Sequence, residues 1–148
     1  MKKELLEIRK QQCRALASAS PCSRRSVGAL ILDPLTNAII SDGYNGTPRK
    51  SLLKLCGGNI CLRTKLSIKS GTQSDLGCHH AEMNAILNAS RAGIQTLNKW
   101  LLTSCDPCLM CAKAIHHAGI IRVYAPQEQT QMAGLHYLAE QGVEIRKF

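Results

Sequence analysis

Aromatic side chains are scarce in this sequence: one Trp, three Tyr and one Phe among 148 residues. A protein that tracks single-stranded nucleic acid needs several aromatic platforms on which bases can stack, and few are on offer. A stable nucleic-acid partner is therefore not expected. Carboxylates are also in short supply. Ten Asp and Glu stand against 19 Lys and Arg, for a formal charge of +9. That balance suits either a basic solvated surface or a phosphorylated small partner. Long apolar runs are missing as well. No stretch approaches the ~18 residues of a membrane-spanning helix, so no membrane partner is expected. The opening MKKELLEIRKQQCRAL carries charges throughout and has no apolar core of the signal-peptide kind. The expected location is cytoplasmic.

Cysteine, by contrast, is plentiful, with eight residues. In a secreted chain that number would suggest a disulfide framework. In a reducing compartment, with His at short spacings, it suggests thiols used for metal. Cysteines bound to metal as thiolates would bring the effective charge below its formal value.

The hydrophobic pattern gives one domain over residues 1–148. Residues 3–19 read as an amphipathic helix with Leu5, Ile8, Leu16 and Ala19 on its apolar face, stopped by Pro21. VGALIL (27–32) and AIISDG (38–43) flank the turn DPLTN and form a hairpin. Residues 44–79 show no sustained period, and such a long insertion needs a tether or a function. Cys56, Cys61 and Cys78 lie in it. Helices then alternate with strands: helix 80–92, strand 99–104, helix 107–119, strand 120–125, helix 129–141 and a last strand at VEIRK. This order predicts an α/β fold of three layers, with helices on both faces of a mixed sheet.

Two short motifs carry chemistry. His80-Ala81-Glu82 opens one helix, and Pro107-Cys108-Leu109-Met110-Cys111 opens the next. Cys108 and Cys111 are three apart and share a helix face. A helix N-terminus favours a thiolate. Two helix starts that meet could place one imidazole and two thiolates on one zinc, leaving its fourth position open, as catalytic rather than structural zinc requires. Glu82 is not needed as a ligand and is placed to move protons. H-x-E followed by P-C-x-x-C is the pattern of zinc nucleobase deaminases.

HAEMNAI (80–86), SCDPCLMC (104–111), SVGALI (26–31) and GYNG (43–46) occur in the chain order 26, 43, 80, 104. On these motifs the chain resembles the zinc-dependent cytidine/deoxycytidylate deaminase family, and within it the deoxycytidylate (dCMP) deaminases. The resemblance implies a five-stranded cytidine-deaminase-like sheet. It implies hydrolysis of dCMP to dUMP and ammonia, supplying dUMP for thymidylate synthesis. The metal would activate water for attack on C4 of cytosine while Glu82 moves a proton to N3.

Substrate contacts are expected from Arg24 of CSRRS (22–26), for the 5′-phosphate, and from Asn45, Ala81, Ser104 and Tyr124. The family usually has Thr three residues before the Pro; here Ser104 stands there, beside Thr103. The resemblance further implies a homo-hexamer, activated by dCTP with Mg²⁺ and inhibited by dTTP. Gly43, Tyr44 and Gly46 of GYNG and Arg91 would belong to that effector and subunit region. It also implies a second, structural zinc on Cys22, Cys56, Cys61 and Cys78, with His79 as an alternative ligand. Cys13 and Cys105 read as core thiols. PCLMCAKAI also resembles the tRNA-adenosine deaminases, which stay as an alternative. A non-catalytic zinc-stabilised nucleic-acid-binding module is the alternative of a different class.

Overall fold

The structure is a computed structural model. It describes residues 1–148 except 49, 53–54, 58–59, 70–71, 73, 75 and 128–131. Its elements are α1 (Lys3–Ala17), β1 (Gly28–Leu32), β2 (Ile39–Tyr44), β3 (Cys56–Gly57), β4 (Ile60–Cys61), α2 (Leu62–Lys65), α3 (Ala81–Arg91), β5 (Trp100–Thr103), α4 (Leu109–His117), β6 (Arg122–Ala125), α5 (Met132–Glu140) and β7 (Glu144–Lys147).

Among the described residues, five strands form one sheet in the order β2-β1-β5-β6-β7. β1 runs antiparallel to both β2 and β5. β5, β6 and β7 are parallel, with Leu101 opposite Val123 and Val123 opposite Ile145. The sheet is mixed, as the alternation of elements predicts.

Side chains alternate across it with period two. Ala29, Ile31, Leu101, Val123 and Ala125 pack with Ala81, Ala85, Cys111, Ala112, Ile115, Leu135 and Leu138 under α3, α4 and α5. Leu30, Leu32, Trp100, Leu102 and Tyr124 face the other way, onto Cys13, Leu6 and Leu16 of α1. The small residues Ala81, Ala85 and Ala89 let α3 lie close to the strands. A Cβ on Gly43 of β2 would fall 2.4 Å from the Ala85 nitrogen and 2.6 Å from the Ala81 oxygen, so only glycine permits that approach.

Two boundaries differ from expectation. The buried stripe of α1 runs through Leu6, Cys13, Leu16 and Ala17, whereas Ile8 is exposed. α1 also ends at Ala17, ahead of Pro21, with Ser18 as its C-cap. Residues 129–131 of the expected last helix lie outside the described residues. The insertion 44–79 has some regular structure after all: the antiparallel pair β3–β4 and the single turn α2.

On β2, at the edge of the sheet, Asn84 donates to the Tyr44 carbonyl and Asn88 to the Asp42 carbonyl, both at 2.8 Å. Among the described residues, no helix is long and apolar enough to cross a membrane.

Candidate metal centre and active site

His80 is the N-cap of α3, and Cys108 is the N-cap of α4. Both were expected inside the first turn. The difference matters, because an N-cap side chain faces the orphan N–H groups of the turn it precedes. Cys108 Sγ accepts from the Cys111 N–H at 3.5 Å. Pro107 sits one place before the cap rather than opening the helix. The His80 Nδ1 lies 3.4 Å from both Cys108 Sγ and Cys111 Sγ. Among the described residues, only these three bring three possible ligand atoms within 4.8 Å of one another.

The electrostatics fit a cation. Cys108 is drawn down to about 4, first by the hydrogen bond from the Cys111 thiol and then by His80. The Cys111 thiol is pushed up by Cys108 and by burial. His80 is raised, mainly by its contact with Cys108. The metal-free trio therefore shares protons around one thiolate. One imidazole and two sulfurs form a donor set that suits zinc, which would displace those protons.

Glu82 is 3% exposed. Burial pushes its carboxyl up to about 7; its own N–H, the His80 charge and the Cys111 thiol pull the other way. A carboxyl near neutrality beside a metal site is poised both to take and to return a proton.

The turn that delivers Cys108 is held from several sides. Ser104 accepts from the Gly28 N–H at 2.9 Å, and its own N–H returns a bond to Gly28 at 3.0 Å. A Cβ on Gly134 of α5 would fall 2.0 Å from the Pro107 oxygen. The Asp106 carboxylate, with a fully buried side chain, pairs with Lys147 at 2.7 Å. Gly134, Asp106 and Lys147 escaped the sequence reading. Asp106 is a buried acid directly before the motif, but its partner is far along the chain.

The other expected residues are placed as follows. Strand alternation turns Tyr124 to the α1 face, edge-on to Trp100 with centroids 5.9 Å apart, while Ala81 and Cys111 lie on the opposite face. Ala81 is fully buried beneath Gly43. The Asn45 amide binds backbone on both sides, accepting from the Val27 N–H and donating to the Arg25 carbonyl, each at 2.8 Å. Arg24 is exposed and donates to the Ile68 carbonyl at 2.9 Å, which ties it to the insertion. Tyr44 is the last residue of β2 and is exposed. Gly46 pairs with His79 through two backbone bonds of 3.1 and 3.0 Å. Arg91 ends α3 and lines an open depression with Asp42, Asn88 and Ala92.

The second cysteine group converges more loosely. None of the eight cysteines forms a disulfide. Cys56 and Cys61 face each other across β3–β4. Burial raises the Cys78 thiol, as do the hydrogen bond and charge of Cys56 and the charges of Cys22 and Cys61. The Thr64 hydroxyl holds the Cys61 thiol down, with a smaller contribution from Arg24. His79 turns its Nδ1 to the Asn84 amide oxygen at 3.3 Å. Cys13 is buried in the core, its thiol donating to the Gly28 carbonyl at 3.1 Å and pushed up to about 12 by burial. Cys105 is buried as well.

Residues 3–126 match the model of the cytidine and deoxycytidylate deaminase zinc-binding region. The chain belongs to that family. The deoxycytidylate deaminase of Saccharomyces cerevisiae is 34% identical over 133 residues, 89% of this chain and 41% of the yeast protein. ComE operon protein 2 of Bacillus subtilis is 35% identical over 127 residues, 79% of this chain and 56% of that protein. The chain thus spans about half or less of the length of these curated relatives. The dCMP deaminase of the cyanophage S-TIM5, solved in complex with dCMP and dUMP, superposes with a TM-score of 0.81 at 27% identity. That match covers 100% of this chain and 99% of the phage chain. The five-stranded fold is that of this family.

Proposed function

We propose that this chain catalyses the zinc-dependent hydrolysis of dCMP to dUMP and ammonia. The observation that carries the reading is the buried Glu82 beside the His80, Cys108 and Cys111 trio. The relatives named for deoxycytidylate deaminase and the dCMP-bound phage structure support the substrate.

His80, Cys108 and Cys111 would hold the zinc ion, whose chemistry there would be to acidify a water for use as the nucleophile. The remaining steps fall to Glu82. Its carboxylate takes a proton from the attacking water and delivers it to N3 of the cytosine ring as C4 becomes tetrahedral. The same carboxyl then moves the proton of the new C4 hydroxyl to the amine, the C4–N4 bond breaks as the C4 carbonyl forms, and ammonia leaves dUMP. Burial pushes this carboxyl up, towards the range where it can both take and return a proton. Burial excludes solvent from this relay.

The finer reading has four parts. Cys22, Cys56, Cys61 and Cys78 hold a second, structural zinc that fastens the insertion; the electrostatic neighbours of Cys78 favour this set over one containing His79. Arg24 meets the 5′-phosphate. The GYNG region and Arg91 serve a homo-hexamer activated by dCTP with Mg²⁺ and inhibited by dTTP. The enzyme works in the cytoplasm and supplies dUMP for thymidylate synthesis.

The test is deamination by the purified protein of dCMP, deoxycytidine and a tRNA anticodon hairpin in parallel, with dCTP and Mg²⁺ or dTTP added in separate runs. Turnover of dCMP alone, raised by dCTP and suppressed by dTTP, is expected. Inosine in the hairpin with dCMP untouched would move the protein to the tRNA-adenosine branch.

A further inference from the structure

We propose that Lys147 is a positioning residue for the metal-ligating turn and acts through Asp106. The inference rests on the zinc reading of the His80, Cys108 and Cys111 trio. Lys147, the last residue of β7, makes two bonds of 2.7 Å, one to the Asp106 carboxylate and one to the Pro126 carbonyl. β5 ends at Thr103 and β6 at Ala125, so one ammonium links the segments that leave two neighbouring parallel strands. The carboxyl ends of such strands are where open α/β sheets place their ligands.

The segment from Ser104 to Pro107 must leave β5 and arrive at the N-cap of α4 with Cys108 pointing at His80. Ser104 fixes its first residue to Gly28. Gly134 of α5 fixes its last, packed under the Pro107 carbonyl. Between them stands Asp106, its side chain fully buried. A carboxylate so enclosed needs partners for its charge, and Lys147 supplies a cation. The pair therefore sets the orientation of the peptide from which Cys108 departs. Groups hydrogen-bonded to the ligands themselves change metal binding or activity by about 10- to 100-fold when lost; this pair acts one step further out, through the backbone, and its effect should lie at or below the lower end.

The alternative is that the pair stabilises the fold and leaves the metal unaffected. Zinc affinity, measured by chelator competition on the full-length protein, separates the two. The ion read is the one absent from Cys111→Ser. Lys147→Met should weaken its affinity by up to about 10-fold, the lower end for direct partners of the ligands, and Lys147→Arg should restore most of the loss. Should Lys147→Met fail to fold, the double variant Asp106→Asn/Lys147→Met leaves no buried charge unpaired and should show the same weakening. Unchanged zinc affinity in the folded single or double variant overturns the proposal, as does an equal fall in unfolding temperature with and without zinc at unchanged affinity. Wild-type protein that binds no zinc here overturns both the zinc reading and this inference. Wild-type protein that binds zinc yet leaves dCMP unchanged overturns only the substrate assignment.

Discussion

The two sulfur-rich groups in this molecule are built in opposite ways. His80, Cys108 and Cys111 stand on the starts of two helices packed against one sheet, and their ligand atoms lie within 4.8 Å of one another. Cys22, Cys56, Cys61 and Cys78 come from the connection after α1, a two-residue hairpin and the end of the insertion. Their sulfurs feel one another but do not close to the same degree. The first group is organised by the fold, and any ion arrives at a prepared site. The second group, in our reading, organises its segment only when an ion joins it, so its binding energy is folding energy for the insertion. Preparation by the fold suits catalysis, which depends on geometry. Closure by an ion suits fastening a loop.

The largest effect should come from Cys111→Ser: one zinc per chain and all measurable turnover disappear, while the circular dichroism of the metal-free protein stays that of the wild type. A collapsed fold would mean that the first group also depends on its ion. Glu82→Gln should come next, slowing dCMP turnover by about 10²- to 10⁴-fold with metal content unchanged. Normal turnover would remove Glu82 from the proton relay.

Cys78→Ser should act on the other side of the comparison. It should lose the second ion and open residues 44–79 to limited proteolysis, with the His80 site still loaded. If proteolysis is unaltered, the insertion is held by its hydrogen bonds alone, among them Thr47 with Leu55 and Cys56.

Thiol reactivity after metal removal should rank the groups more finely. Cys108, drawn down to about 4, should alkylate early together with Cys61, and the buried, raised thiols Cys13 and Cys111 should alkylate late. Mass spectrometry of a time course would read the order. Early modification of Cys13 would mean that α1 opens.

The smallest effect should lie outside both groups. Lys99, together with the N–H groups of Thr36 and Leu35, holds the Asp33 carboxyl down to about 2 from 3.8. A lowered carboxyl contributes stability above its ordinary value and loses it as pH falls through the lowered one. Asp33→Asn should therefore flatten the acid-unfolding curve between about 3.8 and 2 and leave metal binding unchanged.

The parts of the molecule legible in its sequence are those encoded by neighbours along the chain. His80, Glu82, Cys108 and Cys111 sit at spacings that a helix start converts directly into shared faces. Alternation of elements gave the layers for the same reason. Tyr124 shows the limit: period two tells which residues share a face, but not which face carries the metal. Asn45 read as a recognition residue; its amide also binds the backbone of Arg25 and Val27, with one N–H and one lone pair left over. The backbone of α3 leaves no room for a side chain at Gly43, a long-range packing demand with no local signature. The Asp106–Lys147 pair joins residues 41 apart in sequence and left no local signature. The insertion was opaque because its contacts run to distant segments, such as Arg24 to Ile68.

The two asparagines of α3 bear on colloidal behaviour. An edge strand with vacant carbonyls invites another chain to extend the sheet. Asn84 and Asn88 already occupy the carbonyls of Tyr44 and Asp42 with amide donors. A strand joining at β2 would have to displace both. Chemical ageing undoes this protection at one stroke, because deamidation turns a donor into a carboxylate that repels the carbonyl it once capped. Shelf life and resistance to fibrous association are thus tied to two side chains on the helix that begins at His80.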